Sequence, residues 1–226
     1  MTSNELIKRI ISSIILLPLI YFIIIKGTYY LNILLILCFL ISVFEWDKIT
    51  KTNEYKLLGI LFLMISFFSI YKIRNSLSGE YFYLLFITTI CISTDIGGFL
   101  FGRLIKGPKL TKISPKKTYS GMIGSFILTL ITIYFFSKTI DHKYSYDFTI
   151  EIIIFAITVS AISQFGDIII SYFKRISKIK DTGKIIPGHG GLLDRIDGMI
   201  FAYPFSYLII SITKMDIFWW KRVLLF

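Results

Sequence analysis

Long apolar stretches separated by short charged segments dominate this chain. A helix needs about 20 mostly apolar residues to cross the hydrocarbon core of a bilayer. Seven stretches reach or approach that length: 10–25, 29–44, 57–71, 81–100, 121–136, 152–173 and 192–212. The pattern predicts an all-α fold, a polytopic integral membrane helical bundle of about seven transmembrane helices. The third and fifth stretches are short and need extension or tilt. Pro18 and Pro204 fall inside spans, where proline is tolerated and kinks the helix.

Composition agrees with the pattern. Of 226 residues, 55% are hydrophobic and 17% charged, a shift from soluble domains toward membrane proteins. Little sequence is left for a separate soluble domain. The reading is one membrane domain over 1–226, with 1–90 supplying N-terminal spans and 91–212 the catalytic spans and cytoplasmic loops. The stretch 10–25 is followed by Lys26-Gly27-Thr28 without a small-residue cleavage site, so it reads as a retained first span.

The formal net charge is +11. The basic residues lie between spans, where orientation bias and anionic headgroups explain them more simply than nucleic acid does. A cytoplasmic N-terminus places Lys8 and Arg9 inside the cell, with the basic segments 103–117 and 174–195. Trp219 and Trp220 beside Lys221 and Arg222 read as an interfacial anchor. Cys38 and Cys91 lie in apolar surroundings without a CxxC or Cys/His neighbourhood, which leaves zinc and disulfide readings unsupported.

Several acids sit at or inside spans, where charge is costly unless it serves a partner. Asp167 is followed directly by three isoleucines. A salt bridge to a neighbouring lysine would be the plain account. Yet Asp167, Ser171, Lys174 and Arg175 are spaced i, i+4, i+7 and i+8 and share one helix face. Asp194 and Asp197, at i and i+3, also share a face, with Arg195 beside them. Dipole compensation explains one acid in a first helical turn; two point to a metal or a charged substrate. Oxygen-only ligands suit Mg²⁺. Asp95 stands before Gly97 and Gly98, glycines that permit close helix approach. A two-turn pairing of Asp95 with Arg103 is the alternative use of that acid.

Two loops complete the candidate chemistry. Pro187–Gly191 bends the backbone into a helix start, where free N–H groups attract anions. Its His189 fits a phosphate donor, a proton carrier or a plain turn residue equally well. Lys116 and Lys117 lie in the other loop, as orientation charge or as a clamp for a triphosphate or an acidic lipid head.

The run Ser171, Lys174, Arg175, Lys180, Asp181, Pro187, Gly188, His189, Gly190, Gly191, Asp194, Arg195 and Asp197 resembles the signature of phosphatidate cytidylyltransferases, also called CDP-diacylglycerol synthases. Gly166-Asp167, Asp95 with Gly102-Arg103, and Ser114-Pro115-Lys116-Lys117-Thr118 with Gly121 match further family blocks. The likeness covers about residues 90–205. Ser120 stands where the family usually has an acid, and Gly198 where serine is common.

The resemblance implies transfer of a cytidylyl group: CTP and phosphatidic acid give CDP-diacylglycerol and pyrophosphate, with Mg²⁺ and room for a second cation. It carries the metal-binding role to Asp167 and Asp194. Lys174, Arg175, Asp197 and His189 become catalytic candidates, and Ser171, Asp95, Lys116, Lys117 and Arg195 substrate-binding ones. The expected partners are CTP, phosphatidic acid and membrane lipids, not nucleic acid, with a homodimer as the candidate assembly. The expected location is the inner (plasma) membrane, crossed several times. A CTP-dependent lipid kinase is the rival reading, and a membrane transporter the more distant one.

Overall fold

The computed structural model of the protein describes residues 15–16, 18–50, 53–76, 81–139, 148–186 and 190–213. Among them every extended element is helical. Residues 18–26 are helical, followed by α1 (Thr28–Ile49), α2 (Asn53–Ser76), α3 (Phe82–Leu104), α4 (Tyr119–Thr139), α5 (Ile150–Ile176), the single turn α6 (Leu193–Ile196) and α7 (Met199–Thr213). Among the described residues, bridge pairing outside helices is confined to two isolated antiparallel bridges, Lys109 to Thr118 and Ile186 to Gly190.

Among the described residues, five helices are long and apolar enough to cross a membrane: Tyr29–Ile49, Tyr55–Asn75, Phe82–Leu104, Tyr119–Lys138 and Ile150–Ile176. Met199–Thr213 is apolar but shorter. The two stretches expected to be short, 57–71 and 121–136, are longer as helices, because polar residues at their ends continue the turn. The start of the stretch 10–25, the loop segment Pro187–His189 and the tryptophan pair at 219–220 lie outside the described residues.

The helices present apolar side chains outward as well as inward. Ile33, Leu37 and Leu40 of α1 and Leu58, Leu61 and Phe68 of α2 are exposed, as expected of surfaces solvated by lipid. Association then depends on close packing rather than on hiding apolar area from water. α3 and α4 show this best and form the most extensive helix pair. A Cβ on Gly97 would stand 2.7 Å from the Gly124 carbonyl oxygen, and one on Gly121 2.8 Å from that of Gly98. Glycine at these positions lets the backbones touch, and Ser125 Oγ donates to the Thr94 carbonyl at 2.7 Å across the seam. α3 also supplies much of the core, with Tyr83, Phe86, Ile87 and Ile90 essentially inaccessible.

One expected helix is broken. The stretch 192–212 reads as a single span, but α6 ends at Ile196 and α7 starts at Met199. At the break Asp197 accepts a hydrogen bond from the Gly198 N–H at 2.9 Å. Gly198 is pressed against α5: a Cβ there would lie 2.8 Å from the Ser163 carbonyl oxygen. The chain bends where Gly198 presses against α5.

The helix ends sort by charge. Where α1, α3 and α5 finish and α2, α4 and α7 begin, Lys48, Lys56, Arg103, Lys117, Lys174 and Arg195 gather. Lys56 of α2 pairs with Asp47 of α1 at this end. Ser177, just past α5, donates to the Ile49 carbonyl at the end of α1.

Candidate active site

α3, α5 and the α6–α7 break bring acids together at the basic end of the bundle. Asp167, on the last third of α5, is partly exposed. Its Oδ1 accepts from Ser171 Oγ one turn later at 3.3 Å. Its Oδ2 pairs with Lys117 Nζ at 2.5 Å. Lys117 reaches it because the segment before α4 turns back on itself: Leu110 N donates to the Lys117 carbonyl at 2.8 Å and Tyr119 N to the Pro108 carbonyl at 3.2 Å. Lys117 Nζ also donates to the Gln164 carbonyl at 3.4 Å.

Asp197 comes to the same place from the opposite side. It is only 8% exposed and lies within hydrogen-bonding reach of the Asp167 carboxyl group, with Asp95 and Lys174 also in electrostatic range. Asp95 on α3 keeps an accessible face, and its charged neighbours are Asp167, Lys117 and Arg195. Arg103, the other partner considered for Asp95, lies over the Phe99 ring. Carboxylates packed this closely repel one another unless a proton or a cation lies between them.

Asp194 has a different setting. Its Oδ1 accepts from Lys174 Nζ at 2.9 Å, in a pair whose side chains are 4% and 10% exposed respectively. Its Oδ2 accepts the N–H groups of Thr182 at 2.8 Å and Gly191 at 3.0 Å. The i, i+3 spacing of Asp194 and Asp197 therefore does not unite them at one point, because the helix break sends one to the loop and the other to Asp167. The face on α5 divides similarly. Ser171 and Lys174 are buried beside Asp167, whereas Arg175 is exposed and donates to the Ile179 carbonyl at 3.3 Å. Lys116 is exposed, and His189 lies outside the described residues.

Three residues emerge that the sequence pattern does not single out. Gln164, less than one turn before Asp167, has a buried Nε2 with no hydrogen-bond partner. A buried donor left open beside paired charges is a place for an acceptor from outside the protein. Thr182 and Glu45, both buried, bond to each other at 2.8 Å. Glu45 falls just beyond the stretch assigned to the second span; an acid between Phe44 and Trp46 in an apolar helix is its signal.

Asp95, Asp167 and Asp197 are electrostatic neighbours and could offer a cation oxygen donors only. This chemistry fits Mg²⁺, which takes one or two carboxylates, waters and substrate phosphates rather than a closed protein cage. Among the described residues, no group of three or more His, Cys, Asp and Glu side chains is placed to hold a metal ion by itself, so waters and substrate phosphates would have to complete the shell. Cys38 and Cys91 are both free thiols.

Fold and site together define a helical membrane protein with alternating acids and bases at one end of its bundle. Residues 57–213 match the Cytidylyltransferase family, and the chain belongs to that family. A phosphatidate cytidylyltransferase of Rickettsia bellii is 34% identical over 220 residues, covering 91% of each chain. One of Rickettsia typhi is 37% identical over 201 residues, 87% of this chain and 88% of that one. One of Bacillus subtilis is 31% identical over 156 residues, 69% of this chain and 57% of the relative.

Proposed function

We propose that the protein is a phosphatidate cytidylyltransferase: a phosphate oxygen of phosphatidic acid attacks the α-phosphorus of CTP. The new phosphorus–oxygen bond gives CDP-diacylglycerol, and the bond to the β-phosphate breaks to release pyrophosphate. The observation that carries this reading is the meeting of Asp95, Asp167 and Asp197 with Lys117, Lys174 and Arg195 at one end of a membrane bundle. The named relatives and the family match support it.

The lipid phosphate is largely ionised at neutral pH and needs no strong general base. The obstacle is bringing two polyanions together, so the protein's work is positioning and charge neutralisation. Lys117 and Arg195 stand at the site to receive phosphate oxygens, with Gln164 Nε2 as a neutral donor. Lys174, fixed by Asp194 and within electrostatic range of Asp197, would stabilise charge that develops in the transition state. Exposed Lys116 and Arg175 attract the anions from water and from the headgroup layer. His189 remains a candidate donor to phosphate.

Mg²⁺ is the cation this reaction calls for, with space for a second; bound, it would neutralise phosphate charge on the nucleotide. Asp167 with Asp197 would hold it. Asp194, the other acid the family resemblance implies, would act through Lys174 and the loop it organises. The site faces the cytoplasm in a seven-span arrangement with a cytoplasmic N-terminus, forming one domain of the inner membrane. A homodimer is the assembly proposed, and nucleic acid is no part of the function.

The test is product analysis. Purified protein in detergent, given labelled CTP, phosphatidic acid and Mg²⁺, should yield pyrophosphate and a cytidine-bearing lipid, and neither product without the lipid. Release of CDP with a newly phosphorylated lipid would instead identify a lipid kinase.

A further inference from the structure

We propose that Glu45 is a positioning residue: from α1 it clamps Thr182, Leu192 and Leu193 in the arrangement that holds Lys174 at the site. The inference rests on the function proposed above.

Glu45 is 0% exposed. Its Oε2 accepts from Thr182 Oγ1 at 2.8 Å and from Leu193 N at 2.8 Å, and its Oε1 accepts from Leu192 N at 3.0 Å. Three donors on one remote segment satisfy a buried carboxylate that would otherwise be very costly. Room is left for it by the loop itself: a Cβ on Gly191 would come within 2.6 Å of both Glu45 oxygens, and one on Gly183 within 2.5 Å of Oε1. Thr182, Gly183, Gly191, Leu192 and Leu193 all lie against this side chain.

The clamp connects to the chemistry through Thr182. The Thr182 hydroxyl is bound to Glu45, and the Thr182 N–H donates to Asp194 Oδ2. Asp194 Oδ1 in turn receives Lys174 Nζ. Two carboxylates thus grip one residue from opposite sides, and the second carries the site's buried lysine. Trp46, the next residue, packs edge-on to Phe173 at 5.0 Å between ring centroids, so the same stretch of α1 supports α5 beside Lys174. Glu45 is fully buried and touches no substrate; it acts through the loop.

The experiment compares the full-length wild-type protein in detergent with Glu45→Gln, which keeps the size but replaces one acceptor oxygen by a donor. Two readouts are taken. Lys178, Lys180 and Lys184 are exposed on the stretch around Thr182, and Lys109 and Lys112 on the other basic loop. Trypsin should cut after the first three about tenfold faster in the variant and after the last two at an unchanged rate, as loss of one buried polar contact predicts. kcat should fall about tenfold or more, with KM for either substrate moving less than about threefold, because transition-state charge loses its fixed lysine. Tyr21→Phe, which removes a hydrogen bond to Thr89 away from the site, should leave both readouts at wild-type values.

Thr182→Val removes one bond of the clamp and should act in the same direction. The double variant should be no worse than the more severe single, since both break one linkage. Wild-type cleavage in Glu45→Gln, faster cleavage with unchanged kcat, or fully additive effects of the two substitutions would each overturn the proposal. Should Glu45→Gln not fold, Thr182→Val alone decides by the same readouts. A wild-type protein that makes no nucleotide-lipid would defeat the proposed function. The clamp is then judged by cleavage alone, and equal rates in wild type and variant overturn it.

Discussion

Asp194 and Asp197 lie three positions apart, yet the structure gives them opposite electrostatic surroundings. Asp194 is neutralised by Lys174 and two backbone N–H groups; Asp197 faces Asp167 and Asp95. Substitution by asparagine should separate them. Asp194→Asn leaves Lys174 buried beside a neutral group, and breaking a buried pair costs about 3–5 kcal/mol. The expected result is a clear fall in thermal midpoint in detergent together with loss of turnover. Asp197→Asn removes a repulsion between crowded carboxylates, so the midpoint should hold or rise while Mg²⁺-dependent turnover falls by about 100-fold or more. Asp167→Asn should be equally inactive and remain inserted. Near-normal turnover in Asp197→Asn or Asp167→Asn would remove that residue from the cation. Lys174→Ala should cost on the order of 2–4 kcal/mol of transition-state stabilisation; a loss below tenfold would restrict it to a structural part. The chemical types of the site are legible in the sequence, because acids and lysines inside apolar spans announce themselves. Which acid meets which base is not, since that depends on helices far apart in the chain. Lys117 lies fifty positions before Asp167 and still forms its closest ion pair.

At the scale of elements, hydropathy locates the helices but not what joins them. The stretches 29–44 and 152–173 lie inside α1 and α5, whose ends run on into polar residues. Glu45 escapes the pattern for that reason: it lies in the last turns of α1, beyond the stretch assigned to that span. The break between α6 and α7 is also invisible, because Ile196, Met199 and Ile200 continue a helical apolar rhythm across it. What breaks the helix is the close approach of Gly198 to Ser163 on α5, a tertiary constraint without a local signature. The glycines of α3 are readable, since small residues at close helix crossings are the rule in membranes. Their packing makes a graded prediction. Gly97→Ala would put a methyl group 2.7 Å from the backbone oxygen of Gly124, so one helix must move, at about 1–3 kcal/mol. Gly98→Ala meets the Ser125 hydroxyl at 3.0 Å and backbone no nearer than 4.0 Å, so a side-chain rotation at the cost of one hydrogen bond relieves it. Thermal unfolding in detergent should show a large fall for the first and a smaller one for the second; equal effects would refute the close-packed seam.

For the whole molecule the question is which way the charged end faces. CTP is confined to water on one side of the membrane while the lipid substrate stays in the bilayer, so the reaction needs the acids and lysines at the cytoplasmic boundary. Lys and Arg near span ends bias loops toward that side. The end of the bundle holding Lys117, Lys174 and Arg195 is the richly basic one. Around the opposite end, Lys72 and Arg74 close α2, and Arg74 Nε donates to the Ile24 carbonyl at 3.2 Å. With Cys38 and Cys91 replaced by serine, single cysteines at Lys112, Lys180 and Lys72 report the orientation. In intact cells a membrane-impermeant maleimide should label Lys72→Cys and leave Lys112→Cys and Lys180→Cys unreacted until the membrane is opened. Lys112 and Lys180 are exposed on separate loops at the basic end, so both must switch together if that end is a single surface. Labelling of Lys112→Cys or Lys180→Cys from outside would put the site on the wrong side of the membrane for CTP, and the proposed reaction would fail with it.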